Sequence, residues 1–308
     1  MKYIRLMLGR SSIHATCCFE GNFIGADFGI ERDLTNELPE EWRAFNAAFI
    51  PVYQAARPEK SKIAAGLACG MLWTVCQGMK IGDRVLCPDG GGHYRVGEII
   101  GNYTYAPGQV LPHRRAVRWL EQSIDRAAMS EALRNSCGSI GTVCEISAYQ
   151  EEIRQLIRGH DAATCEAAGE EAIENPLSFA LEKHLEHFLI ANWAQTELGK
   201  NYDIYEDEGE RIGQQYSTDT GPIDILAISK DKRELLVVEL KRGRAADAVV
   251  GQVLRYMGYV AQELAEAGQT VRGVIIAQED DQRIRRALAV TPNVSFYRYQ
   301  VSFKLLPL

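Results

Sequence analysis

Two short apolar segments joined by a polar turn constrain the fold of this chain more than any other feature. Gly221–Leu226 and Leu235–Lys241 have the length and the β-branched content of buried strands. Because side chains alternate across a strand, Glu239 and Lys241 share one face, and Asp224 lies on the neighbouring strand. The sequence therefore predicts that two carboxylates and one ammonium group meet at a sheet edge in an otherwise apolar setting.

These side chains have a specific chemistry when they converge. Carboxylate oxygens suit a hard cation such as Mg2+, which keeps several waters and accepts phosphate oxygens as ligands. A lysine beside such an ion can orient or deprotonate an attacking water, whose pKa the ion lowers. The pattern indicates a phosphodiesterase site. The alternative is a solvated salt bridge between Glu239 and Lys241 on a strand face, which is the ordinary role of such a tripeptide.

A helical pattern follows from about Ala246 to Glu266, and Gln252 and Tyr256 lie on one face of it because they are four residues apart. With the two strand segments, this pattern resembles the PD-(D/E)xK nuclease superfamily over residues 176–308. Within it, the pattern is similar to the branch shared by NucS endonucleases and Mrr-like restriction enzymes. The matching motifs are Gly221-Pro222-Ile223-Asp224, Val238-Glu239-Leu240-Lys241-Arg242, and Gln252 with Tyr256.

The resemblance implies an α/β restriction-endonuclease-like core that uses Mg2+ or Mn2+. It implies metal ligation by Asp224, Glu239 and the Leu240 carbonyl. The catalytic residues that it implies are Asp224, Glu239, Lys241, Glu182, Gln252 and Tyr256. Among these, Lys241 would be the catalytic lysine, and Gln252 and Tyr256 would support the site. A glutamate on the first core helix often joins such clusters; Glu182 fits best, and Glu186 is its competitor.

Length and composition favour a soluble protein of two domains. The chain has 308 residues, of which 46% are apolar and 24% charged. It has no apolar run long enough to cross a bilayer, and its N-terminal apolar stretch is too short for a signal peptide. A membrane-spanning protein is thereby excluded and a cytoplasmic one expected. All eight cysteines lie at or before Cys165 without a C-x-x-C pair, which favours reduced thiols over a zinc site.

The net charge of −7 is divided unequally along the chain. Residues 1–160 carry 18 Lys and Arg against 17 Asp and Glu, whereas residues 161–308 carry 16 against 24. The proposed metal site lies in the acidic part. We therefore expect contacts with DNA phosphates to come from local basic patches rather than from overall charge.

Residues 1–150 read as a β-rich domain with inserted helices. A Lys-x-Gly-Asp turn at 80–83, a Gly-Glu-Ile strand at 97–99 and His113-Arg114-Arg115 near Trp119 resemble the small PUA/EVE-like barrels. That resemblance implies a nucleic-acid reader, and some such barrels hold a flipped, modified base. Candidate contacts are stacking aromatic residues and a basic cluster. They are Trp73, Tyr94, Tyr103, Tyr105, His113, Arg114, Arg115 and Arg118. The alternatives are core aromatic residues and a solvated loop with surface ion pairs.

The first domain is followed by a charged, Ala/Glu-rich linker over residues 151–175 and then by the nuclease domain. The leading interpretation is a modification-dependent restriction endonuclease that acts on modified, double-stranded DNA, with homodimerisation left open. One alternative is a NucS-like repair endonuclease that acts on mismatched or branched DNA. A second alternative, from another class, is a nucleic-acid-binding protein that keeps the nuclease fold but does not cut. The intact Asp224, Glu239 and Lys241 argue against this last alternative.

Overall fold

The computed structural model describes residues 1–138, 141–159, 185–207, 211–218 and 220–300. The chain divides into two compact units, Met1–Gly169 and Glu170–Leu308. In the part of the chain described, no helix combines the length and the apolar character needed to cross a membrane.

The first unit is built on a six-stranded sheet. Its strands are β1 (Tyr3–Leu6), β2 (Phe23–Ala26), β3 (Arg84–Pro88), β4 (His93–Tyr105), β5 (His113–Asp125) and β6 (Val143–Glu145). Their order is β2-β5-β4-β3-β1-β6, in which only β1 and β3 pair in parallel. Its helices are α1 (Ala15–Glu20), α2 (Trp42–Ala56), α3 (Lys62–Trp73), α4 (Glu131–Cys137) and α5 (Gln150–Ile157). A PUA/EVE-like barrel stays a prediction for this unit.

Two apolar clusters cover the two faces of this sheet. The larger contains Ile4 and Leu6 of β1 with the inner faces of α2 and α3. The smaller contains Tyr3 and residues of β4, α4 and α5. Neighbouring residues of β1 enter different clusters because side chains alternate across a strand. The sheet is therefore covered on both sides, which explains why all of β1 is buried.

Helix α5 differs from the sequence expectation that a linker begins at residue 151. Ile153 is fully buried and Leu156 nearly so, and both pack into the smaller cluster with Tyr3. The helix is charged but amphipathic, and its apolar stripe closes this face of the sheet. Residues 151–157 therefore belong to the first unit. The segment starting at His113 forms the long strand β5, so the alternative of a solvated loop does not hold there.

The second unit contains a mixed sheet of six strands. They are β7 (Tyr202–Ile204), β8 (Gln214–Thr218), β9 (Gly221–Ser229), β10 (Glu234–Arg244), β11 (Thr270–Glu279) and β12 (Val294–Arg298). The order is β12-β11-β10-β9-β7, and β8 also pairs with β9. The helices are α6, described over residues 185–191, α7 (Ala248–Tyr259) and α8 (Gln282–Ala289). The sequence also predicts a helix over Leu177–Trp193, which is described only in part, and a strand over Val301–Leu305, which lies outside the described residues.

The two apolar segments of the sequence form the centre of this sheet. Strands β9 and β10 pair in antiparallel fashion, whereas β10 and β11 pair in parallel through the crossover helix α7. Helix α7 packs closely on β11, since a Cβ atom at Gly273 would lie 2.5 Å from Val253 Cγ1. With a neighbour on each side and a helix above it, β10 is buried from Leu235 to Leu240. The polar residues near its end are thereby held in a rigid, apolar frame.

Candidate active site

Asp224 and Glu239 face each other across the β9–β10 pair. Val237 pairs with Leu226 and Val238 with Ile225, so one further step of the same register sets Glu239 opposite Asp224. The backbone N–H of Leu240 donates a hydrogen bond of 2.8 Å to Asp224 Oδ2. The Asp224 side chain thus takes the place of a backbone acceptor, which fixes one carboxylate oxygen against β10.

Lys241 completes the group on β10. Its Nζ lies 3.3 Å from Glu239 Oε1, and the Glu239 side chain is only 3% exposed against 18% for Lys241. The pair is therefore not a solvated salt bridge, because the carboxylate is buried while the ammonium group lies closer to the surface. Taking a carboxylate out of water costs several kcal/mol unless it is well compensated, so a buried glutamate at this place requires a compensating positive charge.

Tyr256 lies over the same site from helix α7. Gln252 Nε2 donates to the Tyr256 hydroxyl at 3.3 Å. Burial raises the pKa of this phenol, the Gln252 hydrogen bond opposes that rise, and the charges of Glu239 and Asp224 add to it. The hydroxyl therefore remains protonated and can donate a hydrogen bond.

Gly221 makes room for this hydroxyl. It has φ of +121°, and a Cβ atom added there would lie 3.0 Å from Tyr256 Oη. Both its backbone conformation and the close approach require a residue without a side chain. The glycine that opens the Gly221–Asp224 motif is thus explained by packing at the site.

Glu186 of α6 reaches the site through two glutamines of β8. It is 3% exposed and accepts hydrogen bonds from Gln214 Nε2 (2.6 Å) and Gln215 Nε2 (2.5 Å). Gln215 Nε2 also donates to Asp224 Oδ1 at 3.1 Å. One amide therefore bridges a carboxylate on the helix and a carboxylate on the sheet. Glu182, the other candidate on this helix, lies outside the described residues.

The backbone of Gln215 explains how two consecutive side chains reach one carboxylate. Neighbours on a regular strand point to opposite faces. Gln215, however, has φ of +50°, and the pairing of β8 with β9 skips it between Gln214 and Tyr216. Such left-handed backbone costs a non-glycine residue roughly 1 kcal/mol. Sequence reasoning missed both glutamines; the Gln-Gln doublet two strands before Glu239 was the available signal.

The site offers oxygen ligands to a cation and a hydrogen-bond donor, the Tyr256 hydroxyl, to a substrate. Among the residues described, no group of three His, Cys, Asp or Glu side chains is close enough to enclose a metal. The protein ligands would be Asp224, Glu239 and the Leu240 carbonyl, and waters or substrate oxygens would complete the shell. This donor set fits Mg2+, which commonly binds through one or two carboxylates and retains waters.

Two members of the basic cluster predicted on the first unit, His113 and Arg115, are buried. His113 is fully buried; its Nε2 donates to the Ile30 carbonyl at 2.7 Å and its Nδ1 accepts from the Tyr103 hydroxyl at 2.9 Å. Burial lowers the pKa of His113, so the neutral ring is favoured. Arg115 is 3% exposed and donates to the carbonyls of Gly101 and Met79. Inward-facing positions of β5 carry His113 and Arg115, so neither side chain is exposed for the DNA contact expected of it.

Arg114 and Arg118, the other two arginines of the predicted cluster, lie nearer the surface of the first unit. Arg114 donates to the carbonyls of a loop (Val110 and Leu111) and lies 3.9 Å from the ring centroid of Phe23. Exposed Arg118 pairs with Glu98 at 2.9 Å. Thus Arg114 is engaged with its own unit, while Arg118 can still exchange its surface partner for another anion.

The four aromatic candidates are mostly structural. Tyr94 is buried, and Tyr103 donates to His113 and accepts from the Leu34 N–H. Trp73 is half-buried, with its indole N–H donating to the Pro39 carbonyl at 2.9 Å. Tyr105 is half-buried, and its ring lies 5.2 Å from that of His113. The Tyr94 ring belongs to the smaller apolar cluster, so it is not exposed for the base stacking expected of it.

Family comparisons divide the chain in the same two parts. Residues 192–300 match a family model described as the endonuclease NucS C-terminal domain. Residues 5–147 match a family described as a domain of unknown function, DUF8426.

Two curated relatives and one solved structure are similar to parts of the chain. Endonuclease NucS of Sulfolobus acidocaldarius is 36% identical over 78 residues, which cover 25% of this chain and 29% of the relative. Endonuclease NucS of Methanocaldococcus jannaschii is 33% identical over 78 residues, which cover 25% and 28%. The chain thus spans less than a third of the length of either relative. A solved complex of EndoMS with double-stranded DNA covers 68% of this chain and 62% of its own at 16% identity, with a TM-score of 0.32.

That TM-score is too low to support an argument about the overall arrangement, so the assignment depends on the family model and the two sequence relatives. The matched range contains β7–β12 and α7, and hence Asp224, Glu239, Lys241, Gln252 and Tyr256. That frame, with its candidate site, is the part of the chain that the comparison covers: over residues 192–300 the second unit is similar to the endonuclease NucS C-terminal domain.

Proposed function

We propose that this protein is a metal-dependent DNA endonuclease whose active site lies at the ends of β9 and β10. The observation that carries the proposal is the convergence of Asp224, Glu239 and Lys241, with the Tyr256 hydroxyl above them. Its family relatives named as endonucleases support the same reaction class.

A divalent ion at Asp224, Glu239 and the Leu240 carbonyl would supply charge neutralisation on the phosphate and a lowered pKa for a bound water. Each residue of the chain then has a defined task. The Leu240 N–H and the Gln215 amide hold the Asp224 carboxylate in place. Lys241, whose Nζ lies 3.3 Å from Glu239 Oε1, would hold the attacking water by a hydrogen bond.

Hydrolysis forms one P–O bond to the water oxygen and breaks one P–O bond of the backbone. The attacking water therefore loses a proton, and the leaving oxygen gains one. Tyr256, whose phenol stays protonated, donates a hydrogen bond that orients a non-bridging phosphate oxygen. The site itself contacts only phosphate, so it carries no information on base identity.

Two substrate classes are candidates for this site. Modification-dependent restriction follows from the reader function expected of the first unit. Repair-type cleavage of mismatched or branched DNA is favoured by the match of residues 192–300 to the NucS endonucleases. Burial of Tyr94, His113 and Arg115 removes three of the contacts on which modified-base recognition was argued, so the repair-type reading is at least as well supported.

Cleavage of a matched set of duplexes tests the proposal. The set contains one sequence in plain, base-modified, mismatched and branched forms, each incubated with Mg2+, with Mn2+ and with a chelator. Wild-type protein is expected to cut at least one form only when metal is present. Asp224→Asn and Glu239→Gln are expected to lose cleavage by at least about 100-fold, whereas Asp203→Asn on the exposed face of β7 keeps it.

The preferred duplex decides between the two substrate classes. Cutting of modified DNA alone supports restriction, and cutting of mismatched or branched DNA whatever its modification supports repair. Near wild-type activity in Asp224→Asn, with metal present, would show that the site is elsewhere.

A further inference from the structure

The first unit contains an open cleft. It has a volume of about 390 Å³ and opens beside the smaller apolar cluster. The polar residues that line it are Arg5, Ser11, Ser12, Tyr94, Arg126 and Cys137. Cavities of this size are typical of small-molecule sites with a few polar groups.

Two arginines lie near the Tyr94 hydroxyl at one end of this cleft. Arg126 Nη1 donates to the Tyr94 hydroxyl at 3.0 Å. Arg5 is 1% exposed, and its Nη1 donates to the Gly141 carbonyl at 2.5 Å. The charges of both arginines oppose the rise that burial causes in the pKa of Tyr94, so both lie near its hydroxyl. A buried arginine and a half-buried one are thus directed at the same end of the cleft.

The polar lining is rich in donors. Guanidinium groups only donate hydrogen bonds, and hydroxyl groups can donate. Burial raises the pKa of Cys137 to about 12, so this thiol stays neutral and contributes no negative charge. Among the described residues that line the cleft there is no Asp or Glu. The complement of such a lining is a ligand with several negatively charged acceptor oxygens.

The loop that forms one wall is held in a costly conformation. Gly9, Ser11 and Ser12 have φ of +81°, +53° and +60°. Left-handed backbone at two adjacent serines costs roughly 1–2 kcal/mol for each of them. Such strain is concentrated at functional sites. Ser11 and Ser12 line the cleft together with Gly90.

We propose that this cleft binds a nucleotide through its phosphate, with Arg126 on the phosphate oxygens and the serine hydroxyls beside it. The buried Arg5, held by backbone carbonyls, adds positive charge at the same end of the cleft. Inorganic phosphate would fill only a small part of the volume. Met7 and Pro88, which also line the cleft, give an apolar wall for a sugar or base. The nucleotide is either free in solution or the terminal nucleotide of a DNA strand, since the phosphate chemistry is the same. The inference concerns the first unit and is independent of cleavage by the second.

Titration calorimetry on the full chain tests this site. The ligands are deoxyadenosine 5′-monophosphate, deoxyadenosine, and a short duplex with either a 5′-phosphate or a 5′-hydroxyl end, all without divalent metal. We expect the monophosphate to bind and deoxyadenosine not to bind. Tighter binding of the 5′-phosphorylated duplex than of its 5′-hydroxyl form identifies a DNA end as the source, whereas equal binding of the two duplexes identifies the free nucleotide.

Three variants localise the binding. Arg126→Gln is expected to weaken the monophosphate at least about tenfold, as expected for loss of a charge-assisted hydrogen bond. Ser11→Asp, at an exposed position, is expected to weaken it similarly by repulsion, and Asp tolerates left-handed backbone. Arg158→Gln removes the same charge from the exposed end of α5 and should change nothing.

The three variants are first compared with wild type by circular dichroism and thermal unfolding. The inference is overturned if wild-type protein binds the monophosphate no better than deoxyadenosine. It is also overturned if folded Ser11→Asp and Arg126→Gln both bind like wild type.

Discussion

Lys241 is the side chain whose role can be separated most cleanly from the rest of the site. Lys241→Met keeps the aliphatic stem but removes the ammonium group, which cannot ligate a metal. We expect cleavage to fall by at least about 100-fold while Mn2+ binding, measured by calorimetry, stays within a few-fold of wild type. If the loss of the positive charge beside Glu239 changes the affinity for Mn2+, it should raise that affinity, because the site becomes more negative. A variant that cuts DNA but no longer binds Mn2+ would contradict the role given to this lysine.

Gln215 combines a strained backbone with hydrogen bonds to Asp224 and Glu186, and two glycine variants separate these effects. Gln215→Gly relieves the left-handed backbone but removes the amide that joins Asp224 to Glu186. We expect at least about a tenfold loss of cleavage because Asp224 loses a charge-assisted restraint. Lys232→Gly is the matched control, since Lys232 has φ of +62° in the β9–β10 turn, away from the site. Equal activity of the two variants would show that the bridge is not needed.

At the residue scale, the alternation of side chains along a strand was enough to predict the acidic pair and the lysine of the candidate site. Asp224, Glu239 and Lys241 follow from two regular strands, and the structure brings them together. The Gln215 bridge could not be predicted, because one left-handed residue breaks the alternation on which the reasoning depended. His113 and Arg115 were misjudged although the signal was present: Val117 faces inward, so residues 113 and 115 on the same face do too.

The packing of α7 on the sheet sets the position of Tyr256. Gly221→Ala would place a Cβ atom against the Tyr256 hydroxyl in addition to straining the backbone. We expect a loss of about 1–2 kcal/mol in unfolding free energy and a clear loss of cleavage. Gly268→Ala, with φ of +89° and no atom within 4 Å, carries the backbone strain alone.

A second variant checks this explanation. Tyr256→Phe removes the hydroxyl, so Gly221→Ala should cost less stability in that background than in wild type when both are measured by denaturant unfolding. If Gly221→Ala and Gly268→Ala have the same effect on stability and on cleavage, the contact between α7 and β9 is unimportant.

At the element scale, the two apolar segments predicted β9 and β10 well, because the middle of each strand is buried. Elements that combine charge with one apolar stripe were harder. Helix α5 was assigned to a linker because of its charges, although Ile153 and Leu156 have helical spacing. Strand β5 was not predicted, because its arginines conceal its alternation.

The whole molecule consists of two units that carry different charge, and their boundary can be tested by truncation. A fragment of residues 1–159 retains α5, whereas a fragment of residues 1–149 loses Ile153 and Leu156 from the smaller cluster. Burial of each such side chain is worth about 1.5–3 kcal/mol, so the shorter fragment should be several kcal/mol less stable by urea unfolding. Equal stability of the two fragments would place α5 outside the fold of the first unit.

Strand β10 pairs with one neighbour that is near in the sequence and with another that is distant. Its antiparallel partner β9 is reached by the short connection 230–233, whereas its parallel partner β11 requires the whole of α7. Short connections close within microseconds, and pairing through a crossover is slower because more chain must be ordered first. We therefore expect Asp224 and Glu239 to meet before β11 supports them and before Tyr256 covers them. In that order of folding, a divalent ion can reach the acidic pair before α7 docks over it.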